Sequence, residues 1–530
     1  MSNKFSFAVG AACVAAVLLA GCGGGGGGGG GGGFPLPPVG NLVPLTGKAT
    51  YESVPNTNGP LVYSATTVKP VRGALVDVLD AASSATLATT ATDDAGAYSV
   101  AVPANTTIVV RVRAQLARAG VLPSWDVSVL DNTSKPQPNG LYSMATQPFG
   151  TGAAALTRDL RAGTGWNGTG YTAGQRVAAP FAVLDTVYTA MQKVLSVAPA
   201  TAFPVLKIFW SPSNNNAAGR IADGDIGGTF FINRSTGREI YVLGDEDGDT
   251  DEFDAPVIAH EWGHYYQSAF SRDDSPGGAH RLSQRVDRRL AFSEGWGNGW
   301  SGIALGRSNY VDSLGPQQAT GNSMDLSVGP DTNPGWYRES SIQTIFWNLN
   351  RQVGFKPIHD AMTGILFRSG APVSSIHPFT AAFNVTAPGS TSVLAGLLSG
   401  QNISTAANDP YGDAETNAGG LPTVPNVVKP MYQTAVVGGA PIQACVSNVE
   451  GRDNKLGSFA YVRFTAPASG DYQFTVNGGP VGANPDFDIF RGGLVQRSSN
   501  KVSLGAGDYV LAVNDLNNVS ASTCFNVAIQ

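Results

Sequence analysis

Asp254-Ala255-Pro256-Val257-Ile258-Ala259-His260-Glu261-Trp262-Gly263-His264-Tyr265-Tyr266 is the stretch from which the rest of the chain can be read. Its centre, His260-Glu261-Trp262-Gly263-His264, fits the pattern H-E-x-x-H. Residues four apart share one face of an α-helix, so both imidazoles can meet a single metal ion. Glu261 follows the first of them and can reach a water at that ion as a general base. The flanks predict a helix. Asp254 suits the N-cap, Pro256 falls in the first turn, and Val257 and Ile258 begin an apolar face that Tyr265 and Tyr266 continue. The competing reading is a pair of core histidines on a buried helix.

Two imidazoles leave the coordination incomplete, so a third ligand is expected downstream. A third histidine at the metzincin spacing is absent, because Gln267 and Phe270 stand at the matching positions. His280 is a possible ligand within the loop-like Ser275-Pro276-Gly277-Gly278-Ala279. After Glu261 the chain has only Glu294, Glu339, Glu415 and Glu450. Glu294 lies in the apolar and aromatic Leu290-Ala291-Phe292-Ser293-Glu294-Gly295-Trp296-Gly297, where a lone carboxylate is costly and a cation stabilises it. A buried ion pair with Arg288 or Arg289, or a charge at a helix N-terminus, would meet the same need.

His260, Glu261, His264 and Glu294 together resemble a gluzincin site, the arrangement shared by thermolysin-like and several other zinc peptidase families. The resemblance covers about 60 residues of this chain and implies an α+β zincin-like catalytic domain. It implies zinc held by His260, His264 and Glu294, with Glu261 as the base. The activity it implies is that of a zinc metalloendopeptidase acting on protein or peptide. The 30 residues from His264 to Glu294 exceed the thermolysin gap, and the thermolysin family itself is not assigned. Asn298 occupies the place of an aspartate that orients a histidine there, and accepts an imidazole N–H more weakly than a carboxylate does. Tyr337 and Arg338, before a helix expected over 340–350, are candidates to stabilise the oxyanion, and structural roles are open to them equally. The strand expected over 239–243 stands where gluzincins carry the edge strand that pairs with peptide.

The run Asp245-Glu246-Asp247-Gly248-Asp249-Thr250-Asp251-Glu252-Phe253-Asp254 invites a Ca2+ site, although its glycine is misplaced for an EF-hand. A solvated acidic loop is the other reading.

Regions on either side are β in pattern. Over 42–116, Leu75–Leu79, Ala97–Val102 and Ile108–Arg113 suit strands, with a turn at Asp93-Asp94-Ala95-Gly96. Pro70-Val71-Arg72-Gly73-Ala74 with Thr92–Tyr98 resembles the carboxypeptidase-regulatory-like domain, which implies a transthyretin-like β-sandwich. The segment 117–425 then carries the metallopeptidase domain, with a helix over 177–195 and a strand over 205–210. Over 430–530, Tyr461–Phe464, Tyr472–Val476 and Tyr509–Val513 alternate at period two. Phe464–Tyr472, Phe487–Phe490 and Gly507-Asp508-Tyr509 resemble a pre-peptidase C-terminal domain, which implies a second β-sandwich.

The N-terminus reads as a leader. Residues 1–21 form a signal peptide ending Leu19-Ala20-Gly21 before Cys22, which resembles a bacterial lipobox with Cys22 as the lipidated residue. The linker 22–41 is largely glycine, a flexible leash. With Gly23 after the cysteine, that resemblance implies the outer membrane or cell surface for a Gram-negative source, facing periplasm or exterior, with membrane contact through the anchor only. Of the 4 cysteines, Cys445 and Cys524 remain as a pair for one disulfide, two buried free thiols being the alternative. The net charge of −6 gives no reason to expect nucleic acid or anionic headgroups as partners. Two further functional readings stay open: a surface adhesin or binding lipoprotein with a vestigial zinc site, and a zinc hydrolase of a non-peptide amide.

Overall fold

Alternation at period two builds the N-terminal sheets. Along Leu42–Ser53, Val43, Leu45, Gly47, Ala49 and Tyr51 are buried while the residues alternating with them are more exposed. Thr107–Arg118 repeats this with Ile108, Val110, Val112, Ala114 and Leu116. A computed structural model describes residues 41–135, 139–421 and 427–530. The leader, Cys22 and the glycine linker lie outside them. Leu42–Gln530 form one compact unit of mixed α/β structure. Among the described residues no helix is long and apolar enough to cross a membrane.

The larger N-terminal sheet does not stop where the sequence suggests a boundary. Its strands follow in the order Phe230–Arg234, Gly237–Val242, Leu206–Trp210, Trp125–Asp131, Thr107–Arg118, Ala74–Asp80 and Thr86–Ala91. Thr107–Arg118 therefore runs through position 116 and pairs directly with Trp125–Asp131. The strand expected over 239–243 is present as Gly237–Val242, but it is paired on both sides. The edge belongs to Phe230–Arg234, a short strand after a glycine-rich tract.

Helix α1 (Ala178–Leu195) packs against this sheet and against the two helices that carry the site. Those are α2 (Ala255–Phe270) and α3 (Arg288–Leu305), and α4 (Glu339–Val353) backs α3. Glycines let the three approach. A Cβ on Gly263 would lie 3.1 Å from the Gly297 backbone, and one on Gly299 would lie 2.9 Å from Phe346 Cβ. Trp262, Tyr266, Trp296 and Trp300 fill the seam, with neighbouring ring centroids 5.1–5.7 Å apart. Each is almost fully buried, and burial of such a side chain contributes roughly 1.5–3 kcal/mol.

The C-terminal region is two sheets around one apolar core of residues such as Phe464, Phe474, Phe487, Leu511 and Phe525, and it fits a sandwich module. Cys445 and Cys524 face each other on paired strands and are joined by a disulfide. Closing a loop of 79 residues stabilises by roughly 4 kcal/mol in the chain-entropy account. This module is seated on the start of α3. Asp287 accepts a backbone N–H from Arg289, pairs with its guanidinium at 2.8 Å, and accepts the Tyr461 hydroxyl. The Arg288 guanidinium lies over the rings of Trp336, Tyr432 and Tyr461.

Candidate metal centre

Helix α2 begins after Asp254, with Pro256 in its first turn. Asp254 makes no side-chain cap. Its carboxylate accepts the Ser313 N–H at 2.9 Å and hydroxyl at 2.6 Å, and a hydrogen bond from Asn56. The helix repeat then brings His260 Nε2 and His264 Nε2 to 3.1 Å. Helix α3 delivers Glu294, whose Oε2 is 3.2 Å from His260 Nε2 and 3.5 Å from His264 Nε2. The three side chains converge tightly enough to hold a metal ion. The ion pair with Arg288 or Arg289 does not form, because those guanidinium groups turn to aromatic rings and Asp287.

Each imidazole is oriented from behind. His260 Nδ1 is 2.8 Å from Asn298 Oδ1, and Asn298 in turn donates to Gln343 Oε1 at 3.0 Å. The amide oxygen therefore accepts from Nδ1–H and leaves Nε2 free for a ligand role. His264 Nδ1 is 3.2 Å from Ser293 Oγ, and Ser293 can donate onward to Asp273 at 3.1 Å.

Glu261 turns to the open side. Its Oε2 accepts the backbone N–H of Phe231, on the edge strand, at 2.7 Å. It borders a cavity of about 360 Å3 shared with His260, Glu294, Asn298, His280 and Tyr310. Tyr337 does not reach this cavity. Its hydroxyl goes to Asn417 Oδ1 at 3.2 Å and Pro334 O at 3.3 Å, so an oxyanion role there has no geometric basis. Tyr310 lies closer, its ring edge-on to His260 with centroids 6.3 Å apart. The loop carrying His280 folds back, and Nε2 stands 3.4 Å from Glu294 Oε2 and 3.3 Å from Glu339 Oε2. Nothing local in the sequence marks Tyr310 or Glu339, and the signal for His280 was its being one of only 5 histidines.

Charge follows this geometry. Burial alone would raise Glu294, but His264, His260 and His280 hold its carboxyl well below the usual range. Burial works against a charged His264 ring, yet Glu294, with Glu261 and Asp273, carries it up to about 10. His280 is likewise raised to about 9, against burial, by Glu294 and Glu339. Burial pushes Glu261 up, which makes it a stronger base. The acidic loop contributes a second group, in which Asp249, Asp251 and Asp312 bring carboxylate oxygens within 4.8 Å of one another.

No protein-family model matches the chain, and no curated protein matches it. Weak structural likenesses exist. One is to the pre-peptidase C-terminal domain of a collagenase from Bacillus anthracis, at 10% identity, covering 19% of this chain and 94% of that one with a TM-score of 0.15. Another is to PliG, a periplasmic inhibitor of g-type lysozyme from Salmonella Typhimurium, at 16% identity, 18% and 99% coverage and a TM-score of 0.14. A third is to a 9R-lipoxygenase from Cyanothece PCC8801, at 11% identity, 30% and 25% coverage and a TM-score of 0.12.

Proposed function

We propose that the chain is a zinc-dependent peptidase of gluzincin type, with His260, His264 and Glu294 as metal ligands and Glu261 as general base. The supporting observation is the spacing of the three donor atoms, 3.1, 3.2 and 3.5 Å. Donors around a tetrahedral zinc at about 2.0–2.1 Å stand roughly 3.3–3.4 Å apart. Two imidazoles and one carboxylate also match zinc in ligand chemistry, and three protein ligands leave a position open to water or substrate.

Zinc in this place would acidify a water and polarise a scissile carbonyl. Asn298 and Ser293 keep the two imidazoles in the tautomer that offers Nε2. Glu261, steadied by the Phe231 N–H, takes the proton from the attacking water and passes it to the departing amine. An extended peptide has a partner in Phe230–Arg234, whose outer edge is unpaired among the described strands. Tyr310 and His280 are the cavity groups with polar atoms suited to meet the developing oxyanion. The same proposal includes a zincin-like centre, a regulatory-like transthyretin-type module before it, and a lipid tether at Cys22 on the cell envelope.

The test is digestion of a complex peptide mixture by the lipid-free chain and by Glu261→Gln, with zinc content measured in both. Peptide cuts that vanish in the variant at unchanged zinc support the reading. Absence of cuts in both, with one zinc each, transfers the site to a non-peptide amide or to a binding role.

A further inference from the structure

The acidic loop before α2 is not spread through solvent. Gly315 N–H donates to Gly248 O at 2.8 Å and Gln317 N–H to Glu246 O at 2.9 Å, so the loop lies against the hairpin formed by Asn309–Leu314 and Thr320–Asp325. That contact gathers Asp249, Asp251 and Asp312, and one carboxylate oxygen from each lies within 4.8 Å of the other two. Asp251 is 2% exposed. Its Oδ2 accepts from the Thr229 hydroxyl, while Oδ1 is buried with no hydrogen-bond partner. Asp249 Oδ1 and Asp312 Oδ1 are in the same condition.

Three neighbouring carboxylates, each with one buried oxygen that has no hydrogen-bond partner, are strongly unfavourable together unless a cation sits among them. We infer that Asp249, Asp251 and Asp312 form a second divalent-cation site, distinct from the histidine centre and suited to calcium, which fastens the loop before α2 to the 309–325 hairpin. An all-oxygen ligand set selects a hard cation over zinc. A lysine or arginine from a substrate would bring one charge to three carboxylates, so a divalent ion is the better complement.

The consequence for the neighbouring centre is positional. Asp312 and Tyr310 point the same way from one strand, two residues apart, and both border the metal cavity. Fixing Asp312 fixes where Tyr310 stands relative to His260.

The experiment compares the zinc-loaded chain with Asp312→Asn and Asp251→Asn, each freed of calcium and then titrated with Ca2+ or Mg2+. Thermal unfolding and hydrogen exchange over 309–325 are the readouts. The expected result is a rise of several degrees in Tm and slower exchange on adding Ca2+ to the wild type. Both effects should be lost in Asp312→Asn, whose calcium-free Tm equals or exceeds that of the wild type because one repelling charge is gone. Misfolding of that variant would lower Tm in both states, and Asp251→Asn then serves as the second reading. An equal Ca2+ effect in wild type and variants, no effect in any, or a response to Mg2+ alone overturns the assignment. These readouts need no substrate, so they stand or fall independently of the peptidase reading.

Discussion

The Nδ1–H of His260 needs an acceptor, and Asn298 Oδ1 supplies it at 2.8 Å. A neutral amide does this with less pull than a carboxylate. Asn298→Leu should weaken zinc binding by about 10–100-fold, as loss of such supporting groups commonly does. Competition with a chromophoric chelator measures it, and Asn298→Asp should preserve or tighten binding. The acidic group makes a prediction of opposite pH sign to ordinary acid denaturation. Asp249 has its pKa raised from 3.8 to about 7, chiefly by burial and then by Asp312 and Glu252. A carboxyl raised in the folded state binds its proton more tightly there than in the unfolded chain. Its contribution to stability is therefore full at low pH and lost as pH climbs from about 4 to about 7. Asp245, Glu252 and Asp254 from the same loop and Asp312 from the hairpin face the group, and Asn216 donates to it. Calcium-free wild type should lose more Tm across that window than Asp249→Asn does, and added Ca2+ should remove the difference near neutral pH. The residues of the metal helix were legible because i and i+4 share a face by local geometry alone. Tyr310 was not, since its place beside His260 depends on how a hairpin 50 residues later packs.

Between helices, glycine is what sets the distance at which Glu294 meets the imidazoles. A Cβ on Gly297 would come within 2.8 Å of His260 Cε1 and 2.9 Å of its Nδ1. Gly297→Ala should therefore displace the His260 ring or part α2 from α3, at a cost of about 1–3 kcal/mol in stability. Zinc affinity should fall at least tenfold while far-ultraviolet circular dichroism stays that of the wild type. Helix spacing in the sequence located α1, α2 and α4 to within a residue or two at their starts, because amphipathic periodicity and turn residues are local signals. It was less informative for α3, which is buried on every side and so shows no apolar stripe. Strand 237–242 was found, but whether a strand is an edge or an interior one depends on a partner elsewhere in the chain.

At the scale of the molecule, the histidine loop is held from the far end of the chain. Asn454 Nδ2 donates to Gly277 O at 2.7 Å and Lys455 Nζ to Ala279 O at 2.7 Å, just before His280. Arg285 forms a two-pronged pair with Glu450 on the same side. Lys455→Ala should lower kcat several-fold on any substrate the chain cleaves, with zinc content unchanged, because His280 is loosened and the ligands are not. Pre-steady-state and steady-state assays on metal-replete protein would show this. Composition and strand patterns correctly placed β-rich regions at both ends, yet patterns that are local describe modules as if they were separable. The shared sheet across 116 and the seat of the last module on α3 are long-range pairings, which alternation does not encode.

That seat also imposes an order in time. A chain emerging from the ribosome displays His260, His264 and Glu294 well before Asn454, Lys455 and Tyr461 exist. Until those residues arrive, Arg289 lacks its aromatic roof, Arg288 has only Trp336 and Tyr432 of its own, and the His280 loop lacks its clasp. The proposed hydrolytic activity is thus expected only once the final module has closed over α3, so that a half-made molecule would stay inactive.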